Sequence, residues 1–417
     1  MLQQEGNLKY LKELIMKAFF KNIFLDYYLP FLCLILGTSY FFLDYYYIDR
    51  KILKIAQLFV VLILFFNVKN YKRINKVFIY LIAAYIIGNF SKLFINDLQL
   101  SSLLFPSGIT LILVLIIFCD KNVSETKKIF NNYLSFFVII NVPALILWFL
   151  IFFNFDLSYN VIQLNERTLN YRNYYNVAVF CDWIFYNWNG ITITRLNGLF
   201  EEPGMFGTYS IIMLAIDEVF FKNKKRQILL IIFGLLTFSL TFYLLLLPFL
   251  IYKSQKYFIR ILFSILIFFI AIYDQIKFVI EPLILSRFGR GGNILGISRQ
   301  SDFDKFLIYI DNIDFFSFII GNGIGSNRLE ETAQFSSVFQ FIYELGFLGS
   351  IFLFIFLISV FIVESYKIFG LKILLLTMIP IFSILQRPDF GSSVMIIFIV
   401  LLIKTKQQTI TINPNIS

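Results

Sequence analysis

Histidine is absent from this chain of 417 residues, and its absence removes several chemistries at once. No imidazole can serve as a general base, complete a Ser-His-Asp triad or ligate a metal. Cysteine is almost as rare. Cys33, Cys119 and Cys181 are odd in number and far apart, which excludes a disulfide framework and a thiolate zinc cluster. Proline (9) and glycine (20) are sparse, and no low-complexity linker or solenoid repeat interrupts the chain. Charged residues make up only 15% and hydrophobic ones 59%, whereas a soluble domain carries about a quarter charged and about half apolar.

What fills the chain instead is aliphatic and aromatic, including 54 Phe and 24 Tyr. A soluble core cannot absorb so many, because too little polar surface would remain to face water. A membrane-spanning helix takes about 20 residues, so roughly a dozen would use well over half of the chain. The expected fold is therefore an all-α polytopic membrane protein with about 12 transmembrane segments in one integral membrane domain over 1–417. The net charge of +10 is read as cytoplasmic anchoring and not as a nucleic-acid footprint.

The distribution of Lys and Arg sets the topology. The N-terminal stretch carries Lys9, Lys12, Lys17 and Lys21 without a small-residue cleavage site, so it is read as retained and cytoplasmic. Apolar stretches at 27–43, 54–68, 77–95, 100–119 and 133–154 follow, and the loops Lys69–Lys76 and Asp120–Lys128 on one side are basic. By the positive-inside rule that side is cytoplasmic. The fifth span then delivers a first large external loop, 155–204, and a sixth span near Met205–Phe221 returns to the basic FKNKKRQ. The next run, Ile228–Tyr252, has basic sequence at both ends. One span cannot satisfy that, so the run is read as a short re-entrant hairpin bent around Thr237–Thr241, which is tolerated where protein covers the bend. A segment near 261–280 leads to a second large external loop, 281–336, and spans near 338–362, 373–385 and 391–403 complete a multi-pass chain with both termini cytoplasmic.

Lysines crowd the inside, whereas the outer segments carry Arg167, Arg172, Arg195, Arg287, Arg290, Arg299, Arg328 and Arg387. Arginine is preferred over lysine where phosphate or carboxylate is held by two parallel hydrogen bonds. Any one of these reads as a loop ion pair; the set reads as an anion site. In Arg195-Leu-Asn-Gly198-Leu-Phe-Glu201-Glu202-Pro203-Gly204, an arginine and two carboxylates stand at the start of a span. That reads either as an anion site at a helix N-terminus or as a charged helix cap. Ser286-Arg287-Phe-Gly-Arg290-Gly-Gly and Ser298-Arg299-Gln-Ser301-Asp302 form a cationic, donor-rich stretch able to wrap a diphosphate, or a solvated loop. Gly321-Asn-Gly323-Ile-Gly325-Ser-Asn-Arg328 lacks the strand–turn–helix context of a nucleotide loop and reads as a turn. Glu344, within an apolar span, is either a functional carboxylate or a structural partner of Gln340 or an Arg. Gln386-Arg387-Pro388-Asp389 reads as an outer turn with an ion pair.

Taken as an ordered set, Arg195–Gly207, Ser298-Arg299, Gly321–Gly325 and Tyr343-Glu344-Leu-Gly346-Phe-Leu-Gly349 resemble the Wzy-type polysaccharide polymerases of the O-antigen polymerase/ligase superfamily. The resemblance covers about Arg195 to Phe361; the first five spans match only in hydropathy. It implies a metal-independent glycosyltransferase without cofactor, at the outer face of a bacterial inner membrane. The enzyme would join undecaprenyl-diphosphate-linked repeat units into a surface polysaccharide such as O-antigen or capsule. A flippase and a chain-length-regulating co-polymerase would be its partners. On this reading Arg195 and Arg299, with Arg287, Arg290 and Arg328, face the diphosphate, and Glu201 or Glu202 positions or deprotonates the acceptor hydroxyl. Glu344 is a further candidate. The ligase branch, which transfers the glycan to lipid A core, generally carries a His in the second loop, which this chain lacks. A flippase would place its charges within spans and keep its loops short, the reverse of the pattern here.

Overall fold

The computed structural model describes residues 27–36, 50–68, 78–90, 107–163, 171–175, 179–181, 186–188, 191–200, 202–253, 297–323, 326, 335, 337–386 and 392–412. Helices dominate. In chain order they are α1 (Leu29–Leu36), α2 (Arg50–Phe66), α3 (Phe78–Phe90), α4 (Ser107–Asp120) and α5 (Val123–Phe152). After the external segment come α6 (Pro203–Ile216), α7 (Lys224–Leu236), α8 (Leu240–Lys253), α9 (Ile297–Asn312) and α10 (Phe315–Ile320). The last are α11 (Phe339–Ile358), α12 (Ser365–Phe369), α13 (Leu371–Gln386) and α14 (Ser393–Ile412). Wider π-turns extend α6 over Asp217–Phe221 and join α11 to α12 over Ser359–Glu364.

Val123–Phe152, Pro203–Phe221 and Phe339–Phe369 are long and apolar enough to cross a membrane, and Ile55–Phe66, Phe78–Gly88, Leu240–Lys253 and Ile373–Leu385 are shorter apolar helices. The chain is a helical membrane protein. The expected span at 261–280 and the loop sequence 281–296 lie outside the described residues.

Two helices run through the middle. In α6 every residue from Phe206 to Ile216 is buried, and in α14 every residue from Ser393 to Lys404. A helix apolar around its whole circumference has no polar face to show and must be enclosed. The α6 helix is enclosed by α7, α8, α13 and α14, and α14 also packs on α4 and α5. At the opposite flank α3 and α11 run antiparallel. Phe78 stacks on Phe356 at 6.1 Å and Tyr80 on Phe352 at 6.4 Å.

One end of the bundle gathers the charge. Lys404 Nζ donates to the carbonyls of Cys119, at 2.6 Å, and Lys121, and Lys406 Nζ donates to Glu364 Oε1 at 2.7 Å. Arg226, in the first turn of α7, is buried and spends its guanidinium on neighbours. Nε reaches Asp217 Oδ1 at 2.7 Å, Nη1 reaches Asn131 O at 3.0 Å and Ser135 Oγ at 2.9 Å. Nη2 donates to Asn131 Oδ1 at 3.0 Å and to Asp217. All five N–H donors of the fork are thereby used.

The run from Lys224 to Lys253 is two helices, parted at Thr237–Ser239 with Phe238 in the left-handed region (φ 45). Glu218 joins their far ends. Its Oε2 accepts from Gln227 Nε2 at 3.0 Å, in the first turn of α7, and pairs with Lys253 Nζ, the last residue of α8. Both ends therefore stand at the charged end, and α7–α8 is a helical hairpin whose tip lies about 20 Å away by helix rise.

The segment after Asn154 departs from the all-α expectation. Five short strands form a three-stranded antiparallel sheet, β1 (Asn160–Gln163), β2 (Tyr171–Tyr174) and β3 (Val179–Cys181), and a hairpin of β4 (Tyr186–Trp188) with β5 (Ile191–Ile193). The registers run from Asn160↔Tyr174 to Gln163↔Tyr171, from Arg172↔Cys181 to Tyr174↔Val179, and from Tyr186↔Ile193 to Trp188↔Ile191. Tyr, Val, Ile and Trp favour pleated backbone, so a segment read as loop has strand propensity of its own.

Candidate anion site

The loop from Thr194 to Phe200, which connects β5 to α6, does not lie on the surface. Every residue in it is buried, Arg195 with 5% of its surface exposed. A buried loop is permissible only if its backbone polar groups find partners. Here α5 and the α7–α8 tip supply them. Trp148 Nε1 donates to Thr194 O at 2.8 Å, and Leu199 N donates to Asn141 Oδ1 at 3.0 Å. Asn141 is itself held by its Nδ2 on Phe137 O at 2.8 Å, inside α5. Gly198 sits at φ 60, and a Cβ there would collide with Asn141 Oδ1 and press on the Phe206 ring at 3.0 Å. Only glycine satisfies both the turn and the approach.

The tip of the hairpin leaves helix-end carbonyls exposed to an apolar interior, where an unsatisfied group costs several kcal/mol. Each has a partner. Leu235 O accepts from Tyr243 Oη at 2.8 Å, Leu236 O from Leu196 N at 2.9 Å, and Thr237 O from Arg195 Nε at 2.7 Å. Arg195 thus stands at the C-terminal end of α7, the end of a helix that favours a cation. Its guanidinium plane is fixed by the Nε bond, and Tyr243 lies within its electrostatic reach. Thr237 and Ser239 at this tip are buried as well, and Ser239 N donates to Thr237 Oγ1 at 3.2 Å.

The other sequence-derived candidates fall in different places. Glu202 is the exposed N-cap of α6; its carbonyl accepts from Met205 N at 3.1 Å and Phe206 N at 3.3 Å, its side chain makes no capping bond, and Pro203 follows at the first helical position. Arg299 is in the first turn of α9, its side chain outside the described residues. Glu201, Arg287, Arg290 and Arg328 lie outside the described residues altogether. Glu344 is buried in α11, where Oε1 accepts from Gln340 Nε2 at 3.1 Å and Tyr85 of α3 lies within electrostatic reach. The described contacts of Arg195 and of Glu344 fall on different elements. Among the described residues no three acidic or cysteine side chains converge.

Asn141, Trp148 and Tyr243 were not legible as parts of this site. The one available signal was an Asn two residues before a Pro in an apolar span, a polar group that must find a partner there. No family model, no curated protein and no solved structure matches this chain.

Proposed function

We propose that the chain polymerises oligosaccharide units carried on a polyprenyl diphosphate, by glycosyl transfer at the outer face of a bacterial inner membrane. The supporting observation is the buried, orientation-fixed guanidinium of Arg195 at the tip of the α7–α8 hairpin, in an apolar bundle. In the proposed topology the charged end is cytoplasmic and α7–α8 is the re-entrant pair of a twelve-segment chain. Residues 155–204 and 281–336 are then both external.

The reaction asks for one thing above all, stabilisation of a diphosphate as it leaves. The acceptor hydroxyl oxygen attacks the anomeric carbon of the donor sugar, and the bond from that carbon to the diphosphate oxygen breaks. The electron pair departs with the lipid diphosphate. A preorganised cation in a water-poor site stabilises that charge far more than it would in water. Arg195 fills this role, with Arg299 and the loop arginines Arg287, Arg290 and Arg328 completing the clamp. The hydroxyl proton passes to a carboxylate, Glu202 or Glu201, which follow the same loop in the sequence.

The test uses purified protein in lipid with its lipid-diphosphate repeat unit as sole substrate. A ladder of lengthening products is expected, lost in Arg195→Ala while the variant still inserts in the membrane. Absence of a ladder from folded wild-type protein overturns the reading. Transfer to added lipid A core would then indicate a ligase, and movement of the intact unit across the bilayer a flippase.

A further inference from the structure

The helices α9 and α10 fall in a stretch that reads as external loop, yet they hold large apolar side chains in the open. In α9, Phe303, Leu307 and Ile310 succeed one another at i, i+4 and i+7, and all three are exposed. Phe315, which opens α10, has 81% of its surface exposed. The adjoining face of α9 is covered by α11, where Phe306 stacks on Phe339 at 4.4 Å and Tyr309 meets Tyr343 at 5.0 Å. Asp304, Lys305, Asp311 and Asn312 take the remaining side, with Ile308 the one apolar residue among them. The apolar arc of α9 is therefore half packed on protein and half left for another covering.

Contacts with α11 fix the depth of this pair. Gly321, just after α10, lies so close to Gly346 of α11 that a Cβ on either would overlap the backbone of the other. Asn322 N donates to Tyr343 O at 2.9 Å and Gly323 N to Glu344 O at 3.0 Å, and Phe318 stacks on Phe347 at 5.6 Å. Phe347 heads an exposed row, Phe347, Ile351, Ile355 and Ile358, along a helix long and apolar enough to cross a membrane. On such a helix an exposed apolar row faces lipid. By helix rise Gly346 stands about 27 Å from Glu364, whose carboxylate meets Lys406 at the charged end of the bundle. A bilayer's hydrocarbon is about 30 Å thick. With one boundary at Glu364, the other falls at the level of Gly346, where α10 docks.

We infer that α9 and α10 are interfacial helices, with Phe303, Leu307, Ile310 and Phe315 among the acyl chains of membrane phospholipid and Asp304, Asp311 and Asn312 toward headgroups and water. Lipid is the occupant because α10 continues the lipid-facing row of α11, through Phe318 on Phe347, at the depth where the hydrocarbon ends. The acidic side chains stand off the apolar arc, as that arrangement requires. On the polymerase reading the leaflet is the outer one, and Arg299, in the first turn of α9, comes to the level of headgroups, where the diphosphate of a lipid-linked substrate stands. That consequence rests on the polymerase reading; the membrane contact does not.

The test places one nitroxide at a time on the full chain, its native cysteines replaced, in vesicles of phosphatidylethanolamine and phosphatidylglycerol. The labelled variants are Phe303→Cys, Leu307→Cys and Phe315→Cys, with Asp304→Cys and Asn312→Cys as their polar counterparts. Spin-label relaxation by oxygen, which concentrates among acyl chains, is compared with relaxation by a water-soluble nickel chelate. Oxygen should prevail several-fold at 303, 307 and 315, and nickel at 304 and 312. Nickel prevailing at 303, 307 and 315 would put the helices in water, and shielding from both reagents would put them under protein; either outcome overturns the inference. The unsubstituted chain gives a second measurement that no variant can spoil. A phospholipid with a photoactivated carbene in its acyl chain should tag the peptide holding Phe303–Phe316; tags on Phe347–Ile358 with none there would equally overturn it. The polymer ladder is scored separately. A ladder from a chain whose α9 lies in water removes this inference alone, and lipid contact without a ladder removes the polymerase alone.

Discussion

Single side chains decide whether a buried loop can exist in this bundle. Asn141 does two jobs with one amide, bonding its own helix through Phe137 O and the loop through Leu199 N. Replacing it with Ala strands a buried backbone N–H, at a cost of about 1–3 kcal/mol. Gly198→Ala imposes left-handed strain and a collision with Asn141 Oδ1, for about 1–3 kcal/mol or more. Both variants should lower the melting temperature in detergent and weaken the ladder together, and a variant stable as wild type would show that the loop is not packed as described. Asp314 illustrates the same scale at the surface. Hydrogen bonds from Ser317 to its carboxylate, including Ser317 N to Oδ1 at 3.0 Å, hold it below its ordinary 3.8. Since the folded form has the lower value, the cap is fully present above 3.8 and lost as pH falls through the folded value. Amide exchange at Ser317 should accelerate in that acid window in wild type and not in Asp314→Asn, whose side chain still caps but does not titrate. At this scale the sequence told little. Arg195 stood out as an outer arginine at the start of a span, and Glu344 because charge is expensive within an apolar one. Asn141 and Tyr243 did not, because their partners lie 58 and 8 residues away, outside the three- and four-residue spacing of a helix face.

Among the elements, the α7–α8 hairpin is the one whose shape follows most directly from charge. Basic sequence at both ends of an apolar run forbids a single crossing, and the break expected at Thr237–Thr241 falls at Thr237–Ser239. What charge counting could not reveal is how the hairpin is held. FKNKKRQ reads as a solvated basic turn, yet Arg226 within it is buried, with Asp217 and Asn131 as partners from two other elements. A pair nine residues apart across a π-turn has no local signature, since helix-face pairing works at three and four. Arg226→Ala would leave Asp217 buried and uncompensated, which costs about 3–5 kcal/mol. The double replacement Asp217→Leu with Arg226→Met removes both charges and should recover much of that loss in a detergent melt. Failure of the double variant to recover would mean that the Asn131 and Ser135 contacts, not the ion pair, hold α7 to α5. The strands after Asn154 were missed for a related reason: three- and four-residue strands are too short for alternation to register against a general expectation of loop.

For the whole molecule, the decisive quantity is parity, the number of crossings between one soluble segment and the next. The contacts of Lys404, Lys406, Arg226 and Lys253 bring the ends of α4, α7, α8 and α14 to one face, which the proposed topology assigns to the cytoplasm by the positive-inside rule. If α7–α8 turns back, residues 222 and 254 share that side, and one further crossing places residue 295 outside together with residue 165. If instead 224–253 were a single span, Lys253 would be carried across the bilayer from Glu218, and residue 295 would fall inside. With only three native cysteines to replace, the test is direct. Single cysteines at positions 165, 222, 254 and 295, probed in intact cells with a membrane-impermeant maleimide, should label at 165 and 295 and stay silent at 222 and 254 until the membrane is opened. Labelling at 254 with silence at 295 would remove the hairpin. It would also remove the proposed function, because the second arginine-rich loop would then face away from the side on which Arg195 enters the bundle, and no single diphosphate could meet both.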